Sequence, residues 1–310
     1  DVWSTTDGSI WTEVIASAAW DARYAHVGAV FDNKLWVMGG FDGSAYLNDV
    51  WSSIDGYTWI EVIGSAAWRT RRYHTSAVFD SKLWVLGGFY MGGTPGGSML
   101  NDVWSSTDGV TWTEVITSAA WSARHVHTST VFDNKLWVMG GHDGTSSYND
   151  VWSTTDGSIW TEVIASAAWS VRRTHTSAVF DNQLWVMGGY DGSYLGDIWS
   201  TTDGVTWTEV TGGAEWSARR YHTNAVLDNK LWVIGGDDGS YLNDVWFTEL
   251  MIPSSQPSGQ PTGQPTTQPT NRKQLENANL TALSKDVAVT IWCGGQLTLL
   301  GIVVGKYMRN

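Results

Sequence analysis

The sequence predicts an all-β fold in which one four-stranded unit is copied around a ring, and three observations predict it. Asp1–Trp20 (DVWSTTDGSIWTEVIASAAW) recurs letter for letter at Asp150–Trp169, and diverged copies begin at Asp49, Asp102, Asp197 and Asp244. The starts are 48, 53, 48, 47 and 47 residues apart, a period that belongs to one supersecondary unit repeated as an array. Of 22 Trp, 20 fall in four columns of the repeat, the placing expected of side chains packed between stacked units.

Each copy divides into four short strands. In the copy around residue 180, His175–Phe180 (HTSAVF) alternates and ends at Asp181-Asn182, a two-residue hairpin signal. Leu184–Met187 (LWVM) is a continuous apolar run closed by Gly188-Gly189, as in a strand buried on both faces. After the loop Tyr190–Gly196 come Asp197–Thr201 (DIWST), an Asp203-Gly204 turn and Trp207–Val210 (WTEV). Four antiparallel strands repeated at this period describe propeller blades.

Five blades are expected over residues 1–250. Ile10–Ile15 is expected to complete the blade begun by His222, Leu231 and Val245, a closure that removes exposed sheet edges. Asp1–Ser4 then duplicates Asp244–Phe247, a surplus that implies a parent with six or seven blades.

Net charge is −13 and unevenly spread: through residue 250 there are 29 acids against 13 Lys and Arg, and beyond it 2 against 5. An acidic body without a basic stripe argues against nucleic acid as partner. The single cysteine, Cys293, excludes a disulfide framework and a Cys-based metal site.

The stretch RRTHTSAVFDNQLWVMGGYDGSYLGDIWSTTDGVTW resembles the Kelch motif, with Arg and His before the first strand, a Gly-Gly doublet closing the second, and spaced aromatics after it. The resemblance covers roughly residues 1–250, with Trp where many Kelch units have Tyr. Ser105–Trp112 (SSTDGVTW) also looks like the Asp-box hairpin of sialidase-type propellers, although Thr107 stands where that motif has its aspartate. A plain Asp108-Gly109 turn explains the segment equally.

The resemblance implies partner binding on the face shared by the loops before strand one and after strand two. That rim would present one arginine column (Arg23, Arg71, Arg124, Arg172, Arg219) and a variable column (Tyr24, Arg72, His125, Arg173, Arg220). The next column holds Ala25, Tyr73, Val126, Thr174 and Tyr221, and the opposing loop offers Asp42, Asp143, Asp191 and Asp237/Asp238. One reading is a polar pocket for a carboxylate, sulfate or sugar, built from Arg forks and aromatic faces. The other is that the single-type Arg column merely ties blades together. Phe89–Leu100 is five residues longer than its counterpart and reads either as a glycine-rich flap or as an inert insertion.

The column His26, His74, His127, His175 and His222 places one His per blade, too far apart for a tetrahedral metal site. No metal or other cofactor is expected. Galactose-oxidase-like chemistry requires a Cys in the propeller, and no HExxH, GxSxG or phosphate loop is present. Sialidase-like hydrolysis or sugar mutarotation on the same rim is the alternative to a non-catalytic scaffold for protein or glycan recognition.

Residues 251–272 contain the tract QPSGQPTGQPTTQPTN, a linker suited to polyproline II. A juxtamembrane segment, 273–286, follows and includes the N-glycosylation sequon at Asn279. Val287–Gly305 holds nineteen residues without a charge, close to the ~20 of a membrane-spanning helix. A buried helix or strand of a second domain is the alternative. Residues 306–310, with Lys306 and Arg309, would form a short cytoplasmic tail, and Gly301 with Gly305 matches a helix-pairing pattern for a dimer. The expected molecule is a cell-surface propeller on a stalk with one C-terminal anchor, or else a secreted one.

Overall fold

A computed structural model of the chain describes residues 1–92, 96–249, 288–293 and 296–297. It begins with a hairpin, β1 (Val2–Thr5) and β2 (Thr12–Ile15), followed by the first blade, β3 (Val27–Phe31), β4 (Lys34–Phe41), β5 (Tyr46–Ser53) and β6 (Ile60–Ile63). The second blade is β7 (Thr75–Phe79), β8 (Lys82–Tyr90), β9 (Ser98–Ser106) and β10 (Thr113–Ile116). The third is β11 (Thr128–Phe132), β12 (Lys135–His142), β13 (Ser147–Thr154) and β14 (Thr161–Ile164). The fourth is β15 (Thr176–Phe180), β16 (Gln183–Tyr190), β17 (Tyr194–Thr201) and β18 (Thr208–Thr211). The fifth has three strands, β19 (Thr223–Leu227), β20 (Lys230–Asp237) and β21 (Tyr241–Glu249). Two further strands are β22 (Ala288–Cys293) and β23 (Gln296–Leu297).

Within each blade the pairing is antiparallel and runs in chain order, β3 through β6 and so on. The first turn of each blade is left-handed at both central residues, as at Asp181 (φ 50°) and Asn182 (φ 55°), the geometry that matches strand twist. The glycine doublet behaves differently from the expectation. It lies inside the second strand, where the register shifts between Met187 and Gly189, so strands two and three run longer and the loop between them is shorter. Gly188 and Gly189 have φ of 55° and 104°, and a Cβ on Gly189 would stand 2.7 Å from that of His175. In the same way the long hairpin of the second blade extends β8 and β9; residues 93–95 at its tip lie outside the described residues.

Blades pack through the tryptophans. Trp36, Trp84, Trp137 and Trp232, each at most 2% exposed, sit one per blade on the second strand. Each covers the turn glycine of the neighbouring unit: a Cβ on Gly109 would lie 2.2 Å from the Trp36 ring, and one on Gly157 2.2 Å from Trp84. Gly204 meets Trp137 in the same way, and Gly8 meets Trp232. The turns themselves are closed locally, with Gly109 N–H donating to Ser106 Oγ, Val110 and Thr111 N–H to Asp108, and Trp112 Nε1 to Gly109 O.

The expected closure is corrected in one respect. Thr12–Ile15 does not complete the fifth blade; it pairs with Val2–Ser4, so Asp1–Ser4 is a partner and not a surplus. The hairpin packs on both sides, Trp11 with Trp232 and Phe247 of the fifth blade, and Val2 and Val14 with Leu35, Val37 and Trp59 of the first. It therefore occupies a sixth ring position, between the last blade and the first.

The C-terminal helix expected over Val287–Gly305 is replaced at the eight residues described there by β22 and β23. The β-branched and aromatic run Val289-Thr290-Ile291-Trp292 favours a strand, and β22 pairs parallel with β1. No helix among the described residues is long and apolar enough to cross a membrane. The linker 251–272, the segment 273–286 with Asn279, the rest of 287–305 with Gly301 and Gly305, and the tail 306–310 lie outside the described residues.

Between blades the chain is clasped by an asparagine. Asn149 Nδ2 lies 3.1 Å from both Ser166 Oγ and Ala167 O and 3.0 Å from Trp169 O, and Asn48 and Asn101 hold their linkers likewise. The fourth blade has Gly196 there and keeps only the backbone bond from Ala214 N–H. A Cβ at Gly196 would meet Ala218 at an ordinary 3.4 Å. Gly196→Asn should therefore raise stability by about 1 kcal/mol, read as an increase in melting temperature. An unchanged or lower value would show that the clasp does not transfer.

Candidate functional site

The loop before each first strand is drawn onto the end of the second strand by a two-way backbone bridge: Tyr24 with Phe41, Arg72 with Phe89, His125 with His142, Arg173 with Tyr190, and Arg220 with Asp237. The two expected loops therefore do share one rim. The next residue of each loop is left-handed, at φ 55° for Ala25, 56° for Tyr73, 49° for Val126, 56° for Thr174 and 55° for Tyr221. For residues bearing a Cβ this conformation costs roughly 1–3 kcal/mol each. A chain of backbone bonds between blades offsets it, running from Tyr73 N–H to Ala25 O, Val126 to Tyr73, Thr174 to Val126 and Tyr221 to Thr174.

The first arginine column leaves the rim. Arg23, Arg71, Arg124, Arg172 and Arg219 are at most 1% exposed and form two-pronged ion pairs with Asp49, Asp102, Asp150, Asp197 and Asp244. For Arg71, Nη1 and Nη2 lie 2.8 and 2.7 Å from the two Asp102 oxygens, Nη1 also donates to Gly87 O, and Nε to Arg69 O. Trp104 Nε1 donates to the same carboxylate. With its donors directed inward, this column is structural and is withdrawn from the ligand-binding set.

The loop aspartates stay on the rim and bond close to home. Asp42 accepts from the backbone of Ser44 and Ala45, Asp143 from Thr145, Ser146 and the Tyr148 hydroxyl, and Asp191 from Ser193. Asp237 accepts from Gly239 N–H and pairs with Arg220 at 2.9 Å. These carboxylates hold their own loops or a neighbouring arginine.

What remains on the rim is the variable column and an aromatic wall. Arg72 stands 5.0–5.8 Å from the ring centres of Tyr24, Phe41, Tyr46, Tyr73 and Phe89 and donates to the Tyr24 hydroxyl at 3.0 Å; its buried Nε has no partner. Arg173 lies over Tyr190 at 5.2 Å, and Arg220 lies over Tyr190, Tyr194 and Tyr221. Tyr73 and Tyr221, from the second and fifth blades, approach to 6.1 Å, and Tyr73 also meets His125. These contacts connect the variable residues of all five blades across one face. Tyr46, Phe89, His142, Tyr190 and Tyr194 lie in the segments after strand two that the sequence assigns to the rim, but as individual residues they were not singled out. For Phe89, His142 and Tyr190 the available signal was the position directly after each Gly-Gly doublet.

Two imidazoles meet edge to face in this wall, His125 and His142, with ring centres 5.7 Å apart. His125 Nδ1 lies 2.9 Å from His142 O; a carbonyl only accepts, so the proton is on Nδ1 and Nε2 carries the lone pair. Burial pushes His125 down to about 4, so it is neutral at pH 7. His142 Nδ1 accepts from Gly144 N–H, and burial followed by the charge of Arg173 lowers its pKa as well. Among the described residues neither Arg72 nor Arg173 has a carboxylate partner.

A family model described as the KLHDC2/KLHL20/DRC7 Kelch-repeats domain matches residues 2–163 and 89–236. The solved structure of YjhT is similar in fold, with a TM-score of 0.64 at 15% identity, covering 77% of this chain and 87% of that one. A comparison with curated proteins finds no match.

The inner histidines give a pH signature. Burial pushes His26 and His222 down to about 3, and it holds His74, His127 and His175 well below the usual imidazole range. The folded state keeps them neutral while the unfolded chain takes up protons near pH 6.5, so stability falls as pH drops from about 6.5 toward 3. Each histidine contributes a slope of about 1.4 kcal/mol per pH unit in that window. Aspartates with lowered values, such as Asp7 at about 2, lose their contribution only below about pH 4. The melting temperature should already fall between pH 6.5 and 5. A flat profile there would contradict neutral burial.

Proposed function

The chain belongs to the Kelch-repeat propeller family, and on that premise we propose that it is a binding scaffold whose rim takes an anionic group of a protein or glycan ligand. One observation carries the reading. In a body with 29 acids against 13 bases, Arg72 and Arg173 stand on the rim without a carboxylate, among aromatic rings. Guanidinium forks grip carboxylates and sulfates through paired charge-assisted bonds, and the flanking rings offer faces to a sugar or a side chain.

Catalysis on the same rim is the second reading, favoured by His125, whose tautomer leaves a free base at Nε2 beside Tyr73. One experiment addresses both. The full chain is probed on an array of sialylated, sulfated and neutral glycans and of acidic peptides, with hydrolase and mutarotase assays alongside. Arg72→Ala and Arg173→Ala should each weaken binding by about tenfold or more, while Lys82→Ala, beside the turn at the other end of its blade, leaves it unchanged. Unchanged affinity in both arginine variants would overturn the anionic-ligand reading, and turnover abolished by His125→Ala would replace binding with catalysis.

For localisation, the reading is display outside the cell on the Gln-Pro stalk, anchored by Val287–Gly305. The charge-free run and the sequon at Asn279 support it; the pairing of Ala288–Cys293 with β1 stands against it. Expressed in a secretory host, the chain should stay in the membrane fraction after alkaline extraction and lose a glycan on Asn279→Gln. Release into the soluble fraction would remove the anchor.

A further inference from the structure

The chain carries nine Asp-Gly pairs, five in the turns before the outermost strands and four on the rim. In such a pair the glycine nitrogen, with no Cβ beside it, is able to attack the carboxyl of its own aspartate. The carboxyl must first leave its hydrogen bonds and turn its carbon toward that nitrogen, so each bond it holds raises the barrier. The five turns are locked at both groups. Asp108 accepts from Val110 N–H, Thr111 N–H and the Ser106 hydroxyl, while Gly109 N–H donates to Ser106 Oγ, and Asp7, Asp55, Asp156 and Asp203 repeat the pattern. Three rim pairs are restrained at one group or both. Asp42 accepts three bonds of 2.6–2.8 Å from Ser44 and Ala45. Asp143 accepts from Thr145, Ser146 and Tyr148, with Gly144 N–H spent on His142 Nδ1, and Gly239 N–H, next to Asp238, is spent on Asp237. Asp191-Gly192 is different. Its carboxylate takes one bond, from Ser193 N–H at 3.0 Å, and among the described residues Gly192 N–H has no partner. Asp191, Gly192 and Ser193 are all exposed, and nothing stands within 4 Å of a Cβ added at Gly192.

We propose that Asp191-Gly192 is a self-modification site, where the rim loop of the fourth blade converts to isoaspartate with no enzyme or cofactor. Gly192 N bonds to Asp191 Cγ, and the amide proton and the hydroxyl of the protonated carboxyl leave as water, closing a five-membered succinimide. Water then adds at the Asp191 backbone carbonyl carbon, the bond from that carbon to Gly192 N breaks, and the chain afterwards runs through Cβ and Cγ. One water is released and one is taken up, and nothing is oxidised or reduced. The product has one more main-chain carbon between Tyr190 and Tyr194, whose rings meet at 5.6 Å. Tyr190 is also the ring shared by Arg173 at 5.2 Å and Arg220 at 5.1 Å, so the longer loop alters the rim where two blades join. The conversion is a property of the loop and does not depend on what the rim binds.

The test holds the folded full chain at neutral pH and body temperature for several weeks. Isoaspartate is then mapped by peptide mass spectrometry, with a protease that cleaves before aspartate and not before isoaspartate. It should form at residue 191 about tenfold faster, or more, than at each of the other eight pairs. In the chain unfolded by denaturant the nine rates should converge. Asp191→Glu, which would have to close a six-membered ring, should remove the signal from the folded chain. Equal rates in the folded chain, or a leading site elsewhere, overturn the proposal. A lead for Asp191 that keeps its size in the unfolded chain overturns it as well, because neighbouring residue types and not the fold would then set the order.

Discussion

The whole ring hangs on a buried guanidinium repeated five times. Arg71 illustrates the arrangement. Its backbone N–H donates to Leu47 O and its carbonyl accepts from Gly40 N–H, both in the first blade. Its side chain reaches into the second blade, to Gly87 O and the Asp102 carboxylate. One residue thus joins two blades by different groups. A charge this deep is tolerated only because both carboxylate oxygens, a carbonyl on Nη1 and a carbonyl on Nε satisfy it; removing one partner of such a pair costs on the order of 3–5 kcal/mol. The same aspartate takes the indole of Trp104, so polar pinning and aromatic packing meet at one point.

Pinning the first arginine is what frees the second. With Arg71 turned inward, Arg72 is carried outward onto the bridge with Phe89, where rings surround it. The same alternation puts Arg173 and Arg220 on the rim beside buried Arg172 and Arg219. Scaffold and candidate specificity are therefore adjacent letters in the chain, separated by the direction of a side chain.

Much of the fold was legible because it is local. The Asp181-Asn182 turn, the alternation of Thr176–Phe180 and the Ser106–Trp112 cap all declare themselves within a few residues. The partner of Arg71 did not, since Asp102 lies 31 residues away and the period offers more than one aspartate column. The loop aspartates at 42, 143, 191 and 237 looked nearer to the rim, yet the phrase-opening aspartates form the pairs. The left-handed backbone at Val126 and Thr174 leaves no trace in residue type, because tertiary bonds impose it on β-branched residues that resist it. The position of β2 was misread for a related reason: a strand of the right pattern fits either the fifth blade or its own partner, and only packing against Trp232 and Leu35 decides.

Two strands of one chain, β1 and the second half of β13, carry the same letters and raise a question of kinetics. During folding, β12 meets both, and over the shared Val-Trp-Ser-Thr side-chain chemistry cannot tell them apart. Chain connectivity can. The loop joining β12 to β13 is Asp143–Ser146, whereas roughly 130 residues separate β12 from β1, a difference in closure entropy of roughly 3 kcal/mol. The nearer strand is therefore paired first on nearly every attempt. Tethering supplies the fidelity that the duplicated letters cannot.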